Sequence, residues 1–242
     1  MQPAYKRILL KLSGEALGEH GRGFDFEMIA RVAGQIARLS KEGVQIGIVI
    51  GAGNIWRGRQ GTEMDRVAAD HMGMLATIIN SLAFQDALEK FQVPCHVMTS
   101  IAMDPIAEPY ARRRAVERLE AGDVCIFAGG TGSPFFSTDT AAALRAAEIG
   151  AEALFLAKNI DGVYTADPRK DHTAKRYRTV DFTKVLSDRL QVMDSAATAL
   201  CMDNNIPVCV FALQEEESIR RVCLGESLGT FVHSGVSTAF YS

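Results

Sequence analysis

The chain is poor in features that would tie it to a membrane, an oxidising compartment or a nucleic acid. No stretch of its 242 residues reaches the length and unbroken apolarity expected of a bilayer span, and MQPAYKRILLKLSGEAL lacks the apolar core and cleavage pattern of a signal peptide. A cytoplasmic protein without a membrane partner is expected. Cys95, Cys125, Cys201, Cys209 and Cys223 are odd in number, widely spaced and free of any C-x-x-C pair, which points to buried reduced thiols. An excess of one charge is also missing: 26 Lys and Arg face 29 Asp and Glu, for a net charge of -3 and a pI near 6.0. No overall field draws the chain to nucleic acid, so any phosphate ligand needs locally gathered cations. The five histidines show no ligand spacing, and no permanent protein-built metal site is expected.

Two common phosphate-binding signatures are absent. No G-x-x-x-x-G-K-[ST] occurs, and after Gly51 and Gly53 the third glycine position of the dinucleotide fingerprint holds Trp56. No linker, low-complexity tract or internal repeat divides residues 1–242, so a single domain is expected. With 48% hydrophobic and 23% charged residues, the chain can bury a sizeable core.

What is present is an alternation. Strand-like runs KRILLKL, QIGIVI, DVCIFAG, ALFLA and PVCVFAL are interleaved with helical patterns, one from about Glu27 and a long one opening near Asp70 and His71. The fold class expected is α/β, a three-layer sandwich with a mainly parallel central sheet. Leu75, Ile78, Ile79 and Leu82 recur at i, i+3, i+4, i+7 and predict the buried face of the long helix, with His71 and Met72 assigned to packing. Glycine-rich segments LSGEALG, GAGNIWRG and GGTGSP follow strand-like runs. In open α/β sheets such loops gather at the carboxyl ends of the strands and form one site.

The most telling run is GTGSPFFSTDTAAALRAAEIG, residues 130–150. It brings a flexible turn, two phenylalanines and hydroxyls to the start of an alanine-rich helix, where unpaired amides attract phosphate oxygens. A carboxylate there, Asp139, would repel the same ligand unless a lysine or a nucleotide-borne divalent metal stands beside it. KLSGEAL supplies Lys11 at a strand end, with Ser13 and Gly14 able to bring amides close to a phosphate, and GAGNIWRG adds amides and Arg57. Asp70 can accept from ribose hydroxyls, or can serve as a helix-start cap. In AKNIDGVYTADP, Lys158, Asn159, Tyr164 and Asp167 can frame an adenine and ribose, or shape a surface loop. Arg112, Arg113 and Arg114 read as a solvated face or subunit contact, and QEEESIRR as a charged helix.

Together KLSGEAL, VIGAGNIWRG, DHMGMLAT, GTGSPFFSTD and DGVYTADP resemble the bacterial UMP kinase branch of the amino acid kinase family, from about Tyr5 to His233. The tail from about Ser234 lies outside the resemblance. The resemblance implies phosphoryl transfer from ATP to UMP with Mg²⁺ carried by ATP. It implies catalytic roles for Lys11 and Asp139, and ATP contacts at Lys11, Leu12, Ser13, Gly14, Gly53, Arg57, Asn159, Tyr164 and Asp167. UMP contacts fall on Ala52, Asp70, Thr131, Gly132, Ser133, Pro134, Phe135, Phe136, Ser137 and Thr138. It further implies a homohexamer built from dimers, and GTP and UTP as effectors, with HGRGFDF resembling an effector-linked region.

Two departures from the family pattern stand out. Ala52 occupies a usual glycine and Ser133 a usual asparagine. Carbamate and amino acid acceptors are served by the same fold, and a non-catalytic nucleotide-binding protein is the alternative from another class.

Overall fold

The computed structural model describes residues 2–18, 23–56 and 63–241. Its elements in chain order are β1 (Arg7–Leu12), a 3-10 turn (Gly14–Leu17), α1 (Phe26–Lys41), β2 (Gln45–Ile50), α2 (Arg66–Lys90), β3 (Cys95–Thr99), β4 (Glu108–Pro109), α3 (Arg112–Glu120) and β5 (Val124–Ala128). There follow α4 (Thr138–Ile149), β6 (Ala153–Lys158), β7 (Tyr177–Val180), α5 (Phe182–Ser187), α6 (Ser195–Asp203), β8 (Val208–Ala212), α7 (Ser218–Cys223), β9 (Thr230–Val232) and β10 (Ala239–Phe240). The strands form one sheet in the order β10-β7-β9-β8-β6-β1-β2-β5-β3-β4. Pairing is parallel except at β8 with β9 and β10 with β7, as a mainly parallel sheet requires.

Strand alternation divides the core in two. Ile8, Leu10 and Leu12 of β1 face a cluster shared with α1, α2 and α7, while Leu9 faces α3, α4 and α6. β1 lies between β2 and β6: the chain leaves β1 for β2 on one side and returns from β5 to β6 on the other. This is the reversal of strand order beside which ligands settle in open sheets. Gly14 packs so tightly on the second loop that a Cβ there would overlap the carbonyl oxygen of Gly51. Asn80 fixes that same oxygen through a 2.7 Å hydrogen bond and exchanges bonds of 3.0 and 2.8 Å with Asn54. The predicted convergence of the glycine-rich loops is therefore a property of the fold.

Several expectations change. α2 begins at Arg66, capped by Asp65, whose carboxylate accepts from the amides of Val67 and Ala68 at 3.1 Å. Asp70 lies in its second turn and is not a cap. The apolar spacing of α2 misleads: Ile78 is buried, but Leu75 and Ile79 are 46% and 48% exposed, and Met72 and His71 are exposed as well. The buried face contains Met74, Thr77, Asn80, Ser81, Phe84 and Leu88 instead. By length and composition α2 also qualifies as a membrane span, contrary to the sequence reading, yet its inner face packs on α1, β3 and β5 in the manner of a core helix. Strands β3, β4, β7, β9 and β10 were not anticipated, and β10 anchors the tail. Of QEEESIRR, only Ser218 onward is helical. All five cysteines are free and buried.

Candidate active site

Lys11 follows Leu10 in β1, so alternation turns it to the α4 face at the carboxyl end of the sheet. There its Nζ lies 2.9 Å from Oδ1 of Asp139 in the first turn of α4, with both side chains largely shielded from water. The contact is a charge-assisted ion pair at the buried end of the carboxylate. Lys158, at the end of β6, projects to the same face and donates to the carbonyl of Val192. It joins the charged cluster while also lining the same cavity as Asn159, Tyr164 and Asp167. Burial alone would raise the pKa of Asp139, but the fields of Lys11 and Lys158 win and hold it below the ordinary carboxylate value. Burial lowers the pKa of Lys158, against the pull of Asp139 and with the push of Lys11.

The start of α4 differs from expectation in one respect. Ser137 caps it, accepting from the amides of Asp139 and Thr140 at 3.0 and 3.2 Å. Those amides are spent within the protein, so attraction for phosphate rests on the lysines rather than on this turn. Ser137 itself donates to Asp194, which also accepts from Thr140 Oγ1 at 2.9 Å and caps α6 through the amide of Ala197 at 2.9 Å. Asp194 thereby ties two helix starts together. The sequence reading missed it, although an aspartate ahead of SAATAL is a recognisable N-cap signal.

Two cavities flank the Lys11–Asp139 pair. One, of about 550 Å³, is lined by Lys11, Ser13, Lys158, Asn159, Tyr164 and Asp167 among others. The other, of about 510 Å³, is lined by Ala52, Asp70, Thr131, Phe135, Phe136 and Thr138 among others. Each is large enough for a nucleotide-sized ligand. Asp139 lies between Thr138 and Thr140 of the second cavity, while its partner Lys11 lines the first. The charged pair thus links a lining strand of the first cavity to a lining helix of the second, although Asp139 itself lines neither.

Asp70 organises the second cavity. Its Oδ2 accepts from Arg66 Nε at 2.8 Å and from the amide of Phe135 at 2.8 Å. Burial would raise its pKa, but these two donors lower it below the usual value. Phe135 has φ +72, unusual for a bulky residue, and the Arg66 guanidinium lies 5.5 Å from its ring centre. Behind the loop, buried Arg145 pairs with Glu148, stacks 3.7 Å from the Tyr110 ring centre and donates to Ser100 Oγ at 2.8 Å. Ser100 Oγ donates in turn to the Gly130 carbonyl at 2.9 Å. None of these four supporting residues stands out in the sequence; only the LRAAE spacing of Arg145 and Glu148 offers an i, i+3 pair.

Not every predicted contact reaches a cavity. Leu12 is buried in the core, so only its backbone is near the site, and Gly14 is walled in by Gly51. Gly53, expected on the ATP side, lines the second cavity beside Ala52. Gly132, Ser133 and Pro134 line neither cavity. Thr131 Oγ1 donates to the Ser133 carbonyl at 3.1 Å and accepts from the Ser133 amide at 3.2 Å. Arg57 lies outside the described residues, as does part of HGRGFDF. The three arginines of α3 are committed elsewhere: Arg112 to the Glu148 carbonyl, Arg113 to Glu117 and Arg114 to Glu108. Among the described residues, no group of three His, Cys, Asp or Glu is arranged to hold a metal.

A parallel sheet with a reversed strand order, glycine loops at its carboxyl ends and a lysine–aspartate pair between two cavities define a phosphotransferase-type site. Residues 6–212 match the model of the amino acid kinase family, and the chain belongs to that family. It is similar to a UMP kinase of Bacillus anthracis at 42% identity, with 98% of this chain and 99% of that one covered and a TM-score of 0.95. It is also similar to a UMP kinase of Ureaplasma parvum at 39% identity, with 95% and 99% covered and a TM-score of 0.90. A uridylate kinase of Archaeoglobus fulgidus, at 24% identity with 93% and 99% covered and a TM-score of 0.73, shares the fold.

Proposed function

We propose that this chain transfers the γ-phosphoryl group of ATP to UMP, giving ADP and UDP, and so serves pyrimidine nucleotide synthesis in the cytoplasm as a single domain. The observation that carries this reading is the Lys11–Asp139 pair at the junction of two nucleotide-sized cavities. ATP takes the cavity of Ser13, Asn159, Tyr164 and Asp167; UMP takes that of Asp70, Thr131 and the two phenylalanines.

The acceptor needs no general base. A nucleoside monophosphate has its second pKa near about 6 and already presents an oxyanion at neutral pH. That oxygen attacks the γ-phosphorus, the bond to the bridging oxygen breaks, and ADP leaves with the electron pair. The obstacle is repulsion between two polyanions together with alignment. Lys11 and Lys158 oppose the charge at the junction, and Asp139 holds the lysines apart and oriented without removing a proton.

Asp139 also suits magnesium brought by ATP. A carboxylate kept ionised by two lysines is a hard oxygen ligand of the kind a hydrated magnesium accepts. When bound, the metal would neutralise charge shared by the β- and γ-phosphates.

Met72, Leu75 and Ile79 form an exposed apolar stripe along α2, which supports a homo-oligomer, with the hexamer as its assembly. GTP and UTP are the proposed effectors. A coupled ADP-release assay across UMP, CMP, dTMP, aspartate, glutamate and carbamate tests the reaction. Turnover with UMP alone is expected, and equal turnover with a carboxylate acceptor would refute the assignment.

A further inference from the structure

The family match ends at residue 212, yet the wall of the ATP cavity is braced by residues well beyond it. β10 pairs antiparallel with β7, placing Phe240 opposite Tyr177, and the two rings stack with centroids 4.7 Å apart. The next residue, Tyr241, is pinned at three points. Its amide donates to the Arg176 carbonyl at 3.1 Å, and its single hydroxyl proton is shared between the carbonyls of Gly229 at 2.7 Å and Ser227 at 3.1 Å. Its ring then supports the Arg176 guanidinium, 3.9 Å from the ring centre.

Arg176 continues the chain toward the cavity. Its guanidinium pairs with Asp161, and the other Asp161 oxygen accepts from the Tyr164 hydroxyl at 2.9 Å. The backbones of Tyr164 and Arg176 also form an antiparallel bridge. Tyr164 lines the cavity with Asp167. We infer that Tyr241 is a positioning residue for the donor nucleotide: through Arg176 and Asp161 it holds Tyr164 and the 161–168 loop in the shape that receives ATP. This inference rests on the ATP reading of that cavity.

The physical reason is preorganisation. The Arg176–Asp161 pair is partly exposed, and such pairs gain little when their side chains are free to move. A flat ring under the guanidinium and a hydroxyl bonded to two carbonyls remove that freedom before the ligand arrives. Without Tyr241, nucleotide binding must order Arg176, Asp161 and Tyr164 itself, and the cost falls on donor affinity rather than on the chemical step.

The test compares Tyr241→Ala, Tyr241→Leu and Tyr241→Phe in steady-state kinetics, with ADP binding measured by calorimetry. For Tyr241→Ala and Tyr241→Leu, KM for ATP and Kd for ADP should rise about fivefold, the scale of one cation–π contact and one hydrogen bond. KM for UMP and kcat should move by less than about twofold. Tyr241→Phe keeps the ring and should recover most of the loss. A purely structural tail would lower Tm and the active fraction while leaving KM for ATP unchanged, and that result would overturn the inference, as would equal rises in both KM values. If the parent protein binds ADP but does not phosphorylate UMP, the functional reading fails while the calorimetric comparison still decides the role of Tyr241. If it binds no ADP, both fall. Should Tyr241→Ala not fold, the leucine variant, which retains apolar cover, carries the comparison.

Discussion

The amide of Phe135 donates to the carboxylate of Asp70 at 2.8 Å, although 65 residues separate them in the chain. This bond joins α2 to the acceptor loop and compensates for the left-handed backbone of Phe135. Removing the acceptor should loosen the loop and expose a site that no longer fits UMP. Asp70→Ala is expected to raise KM for UMP by about tenfold or more, in line with loss of a charge-assisted hydrogen bond, while KM for ATP stays near its original value. Initial-rate measurements varying each nucleotide in turn check this, and equal losses for both would contradict it.

In the proposed reaction Lys11 would make its strongest interaction as charge builds between donor and acceptor. Lys11→Ala should therefore reduce kcat by about two to three orders of magnitude, the range found when one preorganised charge-stabilising group is deleted. Its circular dichroism should match that of the parent. A folded variant with near-normal turnover would remove Lys11 from the mechanism.

The depressed pKa of Asp139 gives a pH dependence with a definite sign. The native state binds the carboxyl proton less readily than the unfolded chain, so the stabilisation is complete above the ordinary carboxylate pKa and disappears as pH falls through the lower native value. Asp139→Asn should be less stable than the parent at neutral pH, and the gap in Tm should narrow on acidification across that window. Thermal melts at several pH values measure it; a gap that widens in acid would contradict the assigned direction.

The exposed stripe on α2 makes a claim about assembly. Ile79→Glu should shift sedimentation toward smaller species by placing a charge in a buried contact between copies. Unchanged sedimentation of the variant, or a parent that is monomeric at every concentration, would exclude that face as an interface.

The sheet and the three loops were legible because strand alternation, glycine placement and strand-end position are local signals. A cation beside Asp139 is legible for the same reason, since a carboxylate at an expected phosphate site requires one, but only the fold identifies Lys11 as that cation. Periodicity failed on α2, where Leu75 and Ile79 repeat at core spacing yet face outward while Asn80 and Ser81 turn in. Spacing does not record which neighbour a helix face will meet. The tie of Lys158 to Asp139 is not legible in the sequence, since it joins residues far apart in the chain. Asp194, Arg145 and Ser100 act through side-chain bonds between separate elements, and nothing in their immediate sequence announces such partners. Short β7, β9 and β10 escaped detection because each gains its identity from the strand beside it.

The missing room for a methyl group between Gly14 and Gly51 has a mechanical consequence. The loop after β1 and the loop after β2 rest on one another without slack, and Asn80 fixes the contact through the Gly51 carbonyl. Under the proposed assignment, a displacement of one loop would be passed to the other, so the scaffold would hold the two substrates in register before either enters.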